Sequence, residues 1–307
     1  MSYILGIDVG GTKYHARARK LSGAEIDINV VSNGNLHALG PKKMAVELTK
    51  LVRAIQRKLR TRENPDAVCL GISGLDDPAT TRALMRALSS QSWWKSMDAN
   101  RRYLANDIHI GMRAGTDKKY GIAIISGTGS NGYAIDLKGE EATVSGRGLW
   151  LADEGGGAQI GVDALHATRR AEDGRGPATK LEKMVYKHFG VQSTDELVPI
   201  VEADTFQKRD FAALNNLVEA AAEGGDKVAR KILDHAIDEL LLMTDTLHKR
   251  LNFGREVVDT VLIGGTINRN QYVLRGFLRG ARKRKWMQPL ALPDDPVAGA
   301  IKIAAGE

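Results

Sequence analysis

Cysteine is almost absent from this sequence of 307 residues, which contains only Cys69. A single cysteine excludes a disulfide within the chain, a cysteine-rich zinc site and an iron–sulfur cluster held by cysteines. Because the surrounding run AVCLGI is apolar, we interpret Cys69 as a small buried side chain in a strand.

Long apolar runs are also missing, since no stretch of eighteen or more apolar residues occurs. The sequence enters a strand within three residues, without the basic and apolar regions of a secretory signal. These absences predict a cytoplasmic protein with no membrane partner. The 43% of hydrophobic residues suffices for the cores of one large or two ordinary domains.

Signatures of nucleic-acid binding are lacking as well. The net charge of +7 could serve such binding, but it could equally serve solubility or attraction of a small anion. No helix-turn-helix, zinc-finger or RNA-binding motif appears, so we predict no nucleic-acid partner. The densest basic run, RGFLRGARKRKW at 275–286, is interpreted as a solvated helix face, with phosphate steering as the alternative.

Glycine is plentiful, and ISGTGSNG at 125–132 fits the dinucleotide spacing G-x-G-x-x-G. That fingerprint requires a strand before the loop and a helix after it. The apolar run GIAII precedes the loop, but the alternating run YAIDLKG follows it, which is typical of a second strand. The pattern therefore predicts a hairpin and not a dinucleotide crossover.

The same pattern occurs twice. YILGIDVGGTKYHARARKLSG at the N-terminus and YGIAIISGTGSNGYAIDLKG from Tyr120 both run from a strand through a Gly/Thr/Ser turn into an alternating strand. This similarity predicts a duplicated fold whose glycine turns face one another across a cleft. Two unrelated hairpins with common turn chemistry are the alternative.

Helices and strands alternate after each hairpin. The first half predicts a helix at 43–60, the strand AVCLGISG, a helix from Asp77 to about Ser89 and the strand RRYLAND ending at Asp107. The second half predicts a long helix at 227–253, the strand VVDTVLIGGT and a final helix. We therefore predict an α/β protein with an N-terminal domain at 1–115 and a C-terminal domain at 116–294 with a helical insertion. The helix at 295–307 could pack back on the first domain.

The turn in GIDVGGTK has the chemistry of a phosphate site. Backbone amides at Gly10 and Gly11 can bind phosphate oxygens, and Thr12 adds a hydroxyl donor. Asp8 could hold Mg²⁺ through its water shell, because this ion takes few direct carboxylates. The Walker pattern is absent from the chain. By itself, GIDVGGTK is an ordinary hairpin about as often as it is a phosphate loop.

Five segments in order carry a family resemblance across nearly the whole chain: GIDVGGTKYHARA, NDIHIGMRAG, ISGTGSNGYAI, GRGLWLADEGGGAQIG and VLIGGTINRN. They resemble the sugar kinase/Hsp70/actin superfamily. More closely, they resemble its branch of N-acetylglucosamine kinases, glucosamine kinases, broad-specificity hexokinases and BadF/BadG/BcrA/BcrD-type ATPases. The resemblance implies a duplicated actin-like (ribonuclease H-like) ATPase fold, with two domains around a nucleotide cleft.

The resemblance also implies an ATP site with Mg²⁺. Its implied ATP-binding residues are Gly10, Gly11, Thr12, Lys13, Gly127, Thr128, Gly264 and Gly265. Asp107 would accept the proton of the attacking sugar hydroxyl. This role fits the chemistry, because phosphoryl transfer depends mainly on positioning and charge stabilisation. A strand-end turn residue or helix cap is the alternative for Asp107.

For the acceptor, the resemblance implies Asn35, with Asn33 as the nearby alternative. The other implied sugar contacts are Asp107, Ser130, Asn131, Gly146, Arg147, Gly148, Asp153 and Glu154. Paired carboxylates suit ring hydroxyls, although without a ligand Asp153 and Glu154 would more often be a charge pair at a helix N-terminus. ADEGGG in place of the family's GDEGS, and bulky Ile108, bear on which sugar is accepted.

We therefore predict a kinase that transfers the γ-phosphate of ATP to a hydroxyl, O6, of N-acetylglucosamine or glucosamine, and the resemblance implies a homodimer. Alternatives are a broad-specificity hexokinase or glucokinase, a non-sugar BadF-type ATPase and an actin-like filament protein. The cysteine count argues against an activator of an iron–sulfur dehydratase. The missing DNA-binding module argues against a sugar-responsive repressor of the related ROK group.

Overall fold

The computed structural model describes residues 2–10, 13–31, 34–75, 77–292 and 295–307. The chain divides into two compact units, Met1–Lys119 with Leu292–Glu307, and Tyr120–Ala291. Each unit contains a five-stranded mixed sheet with helices packed on it. The α/β class predicted from the sequence is confirmed.

The strands form two sheets of the same topology. The first sheet has the order β3-β2-β1-β4-β5 and consists of β1 (Tyr3–Val9), β2 (Lys13–Lys20), β3 (Glu25–Val31), β4 (Ala67–Ile72) and β5 (Arg102–Asn106). The second has the order β10-β9-β6-β7-β8 and consists of β6 (Gly121–Ser126), β7 (Ser130–Ile135), β8 (Glu141–Ser145), β9 (Val258–Ile263) and β10 (Met287–Ala291). In both sheets three antiparallel strands are followed by two parallel ones. The predicted duplication, and the hairpin at 121–135, are confirmed.

The helices connect and cover these sheets. In chain order they are α1 (Leu36–Leu59), α2 (Pro78–Leu88), α3 (Ser92–Lys95), α4 (Asp107–Gly115), α5 (Gly157–Glu172), α6 (Lys180–Phe189), α7 (Thr194–Val201), α8 (Lys208–Ala213), α9 (Asn215–Glu223), α10 (Lys227–Arg250), α11 (Gly265–Arg269), α12 (Gln271–Ala281) and α13 (Val297–Ala305). Helices α5 to α9 lie between β8 and the long helix α10. Within the described ranges, no helix combines the length and apolarity needed to cross a bilayer.

Strand β4 is buried along its whole length, because helices cover both faces of the first sheet. Leu70 and its same-face neighbours pack with α1 and α2, whereas Cys69 packs on the other face with α4 and α13. Helix α13 approaches closely because it is rich in small residues. A Cβ atom at Gly299 would lie only 1.8 Å from the Ile110 carbonyl oxygen. The interpretation of Cys69 as a buried side chain is confirmed.

Helix α10 is the central helix of the second unit. It packs on β6, β7 and β8 and also contacts α5, α9 and α12. In the predicted apolar stripe, Ile232, Ala236 and Leu240 are buried. Leu247, further along the same stripe, is buried as well. The helix ends at Arg250, three residues before the predicted end at 253, because Leu251 already has an extended backbone.

Other predicted boundaries also differ from the structure. Helix α1 begins at Leu36 instead of 43, since Asn35 caps it and the helix continues across a kink at Gly40, where φ is 73°. Asp107 is the first residue of α4 and does not belong to β5. The sequence pattern did not predict β3, β8 or β10. All three are edge strands, which need no continuous apolar pattern, and β10 contains Pro289, which an edge strand tolerates.

The packing of α10 predicts a large difference between two leucines on that helix. Leu240 is fully buried, whereas Leu242 is 57% exposed. We expect Leu240→Ala to lower the free energy of unfolding by about 2–5 kcal/mol, because it leaves a cavity in the core. Leu242→Ala, the matched control, should change it by less than about 0.5 kcal/mol. Urea denaturation followed by circular dichroism measures both, and equal effects would contradict the assigned core.

Candidate active site

Two predicted acidic residues lie at one edge of the first sheet. Asp8 pairs in register with Gly71 of β4, and Ile72 of β4 pairs with Asn106 of β5. Because β1, β4 and β5 are parallel, their carboxyl ends meet at this edge, where ligands bind in open α/β sheets. Asp107 follows β5 directly. We call Asp8, Lys13, Asp107 and Asp295 the acidic-edge cluster.

Asp107 does not cap helix α4. Asn106 has that role, because its side-chain oxygen accepts a hydrogen bond from the Ile108 amide at 2.9 Å. The same amide donates to Asp107 Oδ1 at 3.0 Å. Asp107 is partly exposed, whereas Ile108 is buried. The bulky side chain that departs from the family pattern therefore packs in the protein interior.

The acidic-edge cluster carries an excess of negative charge. Burial raises the pKa of Asp8 to about 7, and the negative charge of Asp107 adds to the rise, while Lys13 opposes it. A divalent cation would relieve this repulsion, so the residues fit Mg²⁺. Among the described residues, no group of three or more His, Cys, Asp or Glu side chains could hold a metal. The prediction for Asp8, a Mg²⁺ ion held through its water shell, stays a prediction.

Asp295 connects the acidic-edge cluster to a buried histidine that the sequence patterns did not single out. His15 pairs in register with Asp8, and its Nε2 lies 2.7 Å from Asp27 Oδ1. Its Nδ1 lies 3.3 Å from Asp295 Oδ2, and Lys13 Nζ lies 3.6 Å from the same oxygen. The segment before α13 is thus bound to β2. No sequence pattern joins His15 to Asp295.

Polar contacts hold Gly34 and Asn35 within the first unit. Asn35 caps α1, with its Oδ1 accepting from the Ala38 amide at 3.1 Å. The Tyr14 hydroxyl donates to the Gly34 carbonyl at 2.5 Å. Three predicted residues, Gly11, Thr12 and the alternative Asn33, lie outside the described residues, while Gly10 closes its turn by donating to the Lys13 carbonyl at 3.0 Å.

In the second unit, the predicted ATP residues Gly127, Thr128, Gly264 and Gly265 come together. We call residues 127–129, between β6 and β7, the glycine turn. The Gly127 carbonyl accepts from the Gly157 amide and from the Thr266 hydroxyl, each at 2.8 Å. The Thr128 carbonyl accepts from the Ala158 amide at 2.9 Å. These bonds attach the glycine turn to the starts of α5 and α11.

Gly264 is required by the close packing of β6 and β9. Its φ is 105°, and a Cβ atom there would lie 2.5 Å from the Ser126 carbonyl oxygen. At the adjacent Gly265 a Cβ atom would make only ordinary van der Waals contact, with Arg269 Cδ at 3.9 Å. Gly264 is therefore needed for packing, whereas Gly265 is not.

Most predicted sugar residues lie directly beside the glycine turn. The Ser130 hydroxyl donates to the Glu154 carbonyl at 2.6 Å, and the Ser130 amide donates to Asp153 Oδ1 at 3.3 Å. Asn131 packs against Gly146, where a Cβ atom would lie 2.6 Å from Asn131 Cγ. The turn after β8 contains Gly148, with φ 91°, and the exposed Arg147. The structure thus gathers the set Ser130, Asn131, Gly146, Asp153 and Glu154.

The carboxylate of Asp153 has an unpredicted partner. Its Oδ2 accepts a hydrogen bond from Lys208 Nζ on α8. Asp153 is 3% exposed and has a left-handed backbone, with φ 72°. Its carboxylate forms an ion pair with Lys208. This contact differs from the alternative considered above, in which Asp153 and Glu154 are a charge pair at a helix N-terminus. Lys208 is 55 residues away in sequence, and no motif marks it.

The sequence matches the BadF/BadG/BcrA/BcrD ATPase family over residues 5–302. It is 28% identical over 314 residues to an N-acetylmuramic acid/N-acetylglucosamine kinase of Clostridium acetobutylicum, with 100% of this chain and 99% of the relative covered. An N-acetyl-D-glucosamine kinase of Dictyostelium discoideum is 26% identical over 317 residues, with 98% and 97% covered. The crystal structure of a candidate N-acetylglucosamine kinase from Chromobacterium violaceum has a TM-score of 0.74 at 24% identity, with 98% of both chains covered. The predicted fold class is confirmed.

The packing predicts that alanine at Gly264 and at Gly265 will change the free energy of unfolding by different amounts. Gly264→Ala should lower the free energy of unfolding by roughly 2–4 kcal/mol, since the strained φ and the clash with Ser126 both oppose it. Gly265→Ala, its control, should stay within about 1 kcal/mol of the wild type, because alanine suits a helix start. Urea denaturation compares the variants, and a Gly264→Ala protein as stable as Gly265→Ala would contradict the packing.

The raised pKa of Asp8 predicts a pH-dependent cost of folding. The carboxyl titrates near 3.8 when unfolded and near 7 when folded, so the folded protein holds the proton more tightly between these values. The stability contributed by that proton is complete below about pH 4 and is lost as the pH rises through about 7. Asp8→Asn removes this dependence. Relative to the wild type, we expect it to gain roughly 1–3 kcal/mol of unfolding free energy between pH 5 and pH 8.

The measurement is urea denaturation at several pH values in buffer with a metal chelator. Asp107→Asn is the second variant, because removing the neighbouring charge should reduce the pH dependence only in part. A constant difference between Asp8→Asn and the wild type from pH 5 to pH 8 would refute the assignment.

Proposed function

The chain belongs to the BadF/BadG/BcrA/BcrD ATPase family, and on this basis we propose that it is an ATP-dependent amino-sugar kinase. The observation that carries the proposal is the arrangement beside the glycine turn. There the predicted nucleotide residues Thr128 and Gly264 adjoin the predicted sugar residues Ser130 and Asp153. The two amino-sugar kinases that align along almost the whole chain support the same activity.

In this proposal the glycine turn binds phosphates of ATP through the Thr128 hydroxyl and the turn backbone, as oriented N–H groups do. Gly264 and Gly265 lie beside the adenosine, since glycine lets the backbone approach a ligand closely. The resemblance also implies phosphate contacts by Gly10, Gly11, Thr12 and Lys13. Asp8 holds Mg²⁺ through water, and the ion supplies neutralisation of phosphate charge.

Asp107 is proposed to accept the proton of the attacking hydroxyl. Its partly exposed carboxylate stands at a strand end, and Asn106 supplies the side-chain cap of helix α4. Phosphoryl transfer requires little covalent chemistry from the protein, so a positioned carboxylate and stabilised charge suffice. O6 of the sugar is the proposed nucleophile.

The proposed acceptor is N-acetylglucosamine or glucosamine. Its hydroxyls and amino substituent would contact Asn35, Ser130, Asn131, Gly146, Arg147, Gly148, Asp153 and Glu154. Two of these, Asn131 and Gly146, pack so tightly that a side chain at 146 is excluded. We also propose that the protein is a cytoplasmic homodimer. Its N-terminal functional domain would comprise residues 1–115 together with the helix 295–307, and its C-terminal domain residues 116–294.

An ADP-release assay over several sugars tests the proposal. With ATP and Mg²⁺, N-acetylglucosamine or glucosamine should stimulate turnover at least tenfold above the rate without sugar, because the acceptor supplies the nucleophile. Glucose, N-acetylmannosamine and N-acetylmuramic acid complete the panel. Turnover highest with glucose would favour the hexokinase alternative, and no stimulation by any sugar would refute the kinase assignment for these acceptors.

Asp107→Asn provides the matching variant in this assay. It should lower kcat by at least about 100-fold, the usual contribution of a general base, while binding of ATP changes little. Asp117→Asn is the control, since that carboxylate is 97% exposed and pairs with Lys302. Equal turnover of the two variants would refute the role of Asp107.

A further inference from the structure

We propose that Lys208 links nucleotide binding to acceptor binding by exchanging its ionic partner. In the structure its ammonium group pairs with Asp153. When ATP binds at the glycine turn, the ammonium moves to the phosphates and releases the Asp153 carboxylate to the sugar hydroxyls. This inference rests on the proposed function, since it requires phosphate at the glycine turn.

The position of the Lys208 ammonium is the first support. A Cβ atom at Gly129 would lie 2.6 Å from Lys208 Nζ and 2.8 Å from Asp153 Oδ2. The ion pair therefore lies directly against the glycine turn, with no side chain between them. An anion held by this turn comes within reach of the ammonium without movement of the backbone.

The contrast in burial is the second support. The Asp153 side chain is 4% exposed, whereas that of Lys208 is 40% exposed. The lysine thus covers the open side of a carboxylate whose other oxygen accepts from the Ser130 amide at 3.3 Å. While Oδ2 accepts from Lys208, it has fewer lone-pair directions left for a sugar hydroxyl. Lys208 therefore masks one of the predicted acceptor contacts.

The backbone of Lys208 is fixed, so the exchange requires motion of the side chain alone. Helix α8 begins with a capping box between Gln207 and Asp210. It packs tightly on α5, since a Cβ atom at Gly161 would lie 2.0 Å from the Phe211 carbonyl oxygen. A lysine side chain has a flexible four-carbon stem, and its compact charge suits phosphate. The several negative charges of a triphosphate attract it more strongly than one carboxylate does.

A purely structural ion pair is the competing explanation. In that case Lys208 would stabilise the left-handed backbone of Asp153 and take no part in ligand exchange. The two explanations differ in one measurable quantity, the factor by which nucleotide changes acceptor affinity. Coupling of this kind must be reciprocal, so the acceptor must strengthen nucleotide binding by the same factor.

Isothermal titration calorimetry of N-acetylglucosamine, with and without a non-hydrolysable ATP analogue and Mg²⁺, measures this factor. In the wild type we expect the analogue to tighten sugar binding at least tenfold. In Lys208→Met the factor should fall to within twofold of one, and the analogue itself should bind at least tenfold more weakly. Lys208→Arg keeps the charge and should retain part of the coupling.

Arg209→Met is the matched control, because it removes the next cation along α8, whose side chain is 81% exposed. It should keep the wild-type coupling factor. If Lys208→Met does not fold, Asp153→Asn serves instead, since it breaks the same pair while preserving shape, and its coupling factor should also approach one. Wild-type coupling in a folded Lys208→Met protein, or no coupling in an active wild type, would overturn the inference. An inactive wild type would instead overturn the proposed function.

Discussion

The hydrogen bonds that attach the glycine turn to helix α5 determine the arrangement of the second unit's candidate residues. The amides of Gly157 and Ala158 donate to the carbonyls of Gly127 and Thr128. Two backbone N–H groups in the first turn of α5 therefore find their acceptors in the glycine turn. A helix start normally leaves such donors without intrahelical partners. Here they join the turn to the segment that contains Asp153, and a shift of either one displaces the other.

The repeated topology explains how one architecture supplies two different kinds of site. In the first sheet, the carboxyl ends of parallel strands present the carboxylates of Asp8 and Asp107. At the equivalent edge of the second sheet, the parallel strands β6 and β9 lead into Gly127 and Gly264 instead. The same edge therefore carries negative charge in one unit and bare backbone in the other, and both lie where open α/β sheets bind ligands.

Sequence patterns predicted those features that depend on local chemistry. The hairpins, the buried strand around Cys69 and the stripe along α10 follow from apolar periodicity and turn residues. Edge strands such as β10 were missed, because their stability comes from a neighbouring strand and not from their own composition. The pairing of Lys208 with Asp153 was missed for a similar reason, since tertiary packing of α8 on α5 creates it.

The burial of Cys69 has a practical consequence. It is the sole thiol of the chain, its exposure is zero, and burial raises its pKa far above the ordinary value. A thiol that stays protonated and covered does not react with maleimides under native conditions. The natural sequence is therefore ready for single-site spectroscopic labelling, because a cysteine engineered on any exposed element would be the only position that a fluorophore or spin label modifies.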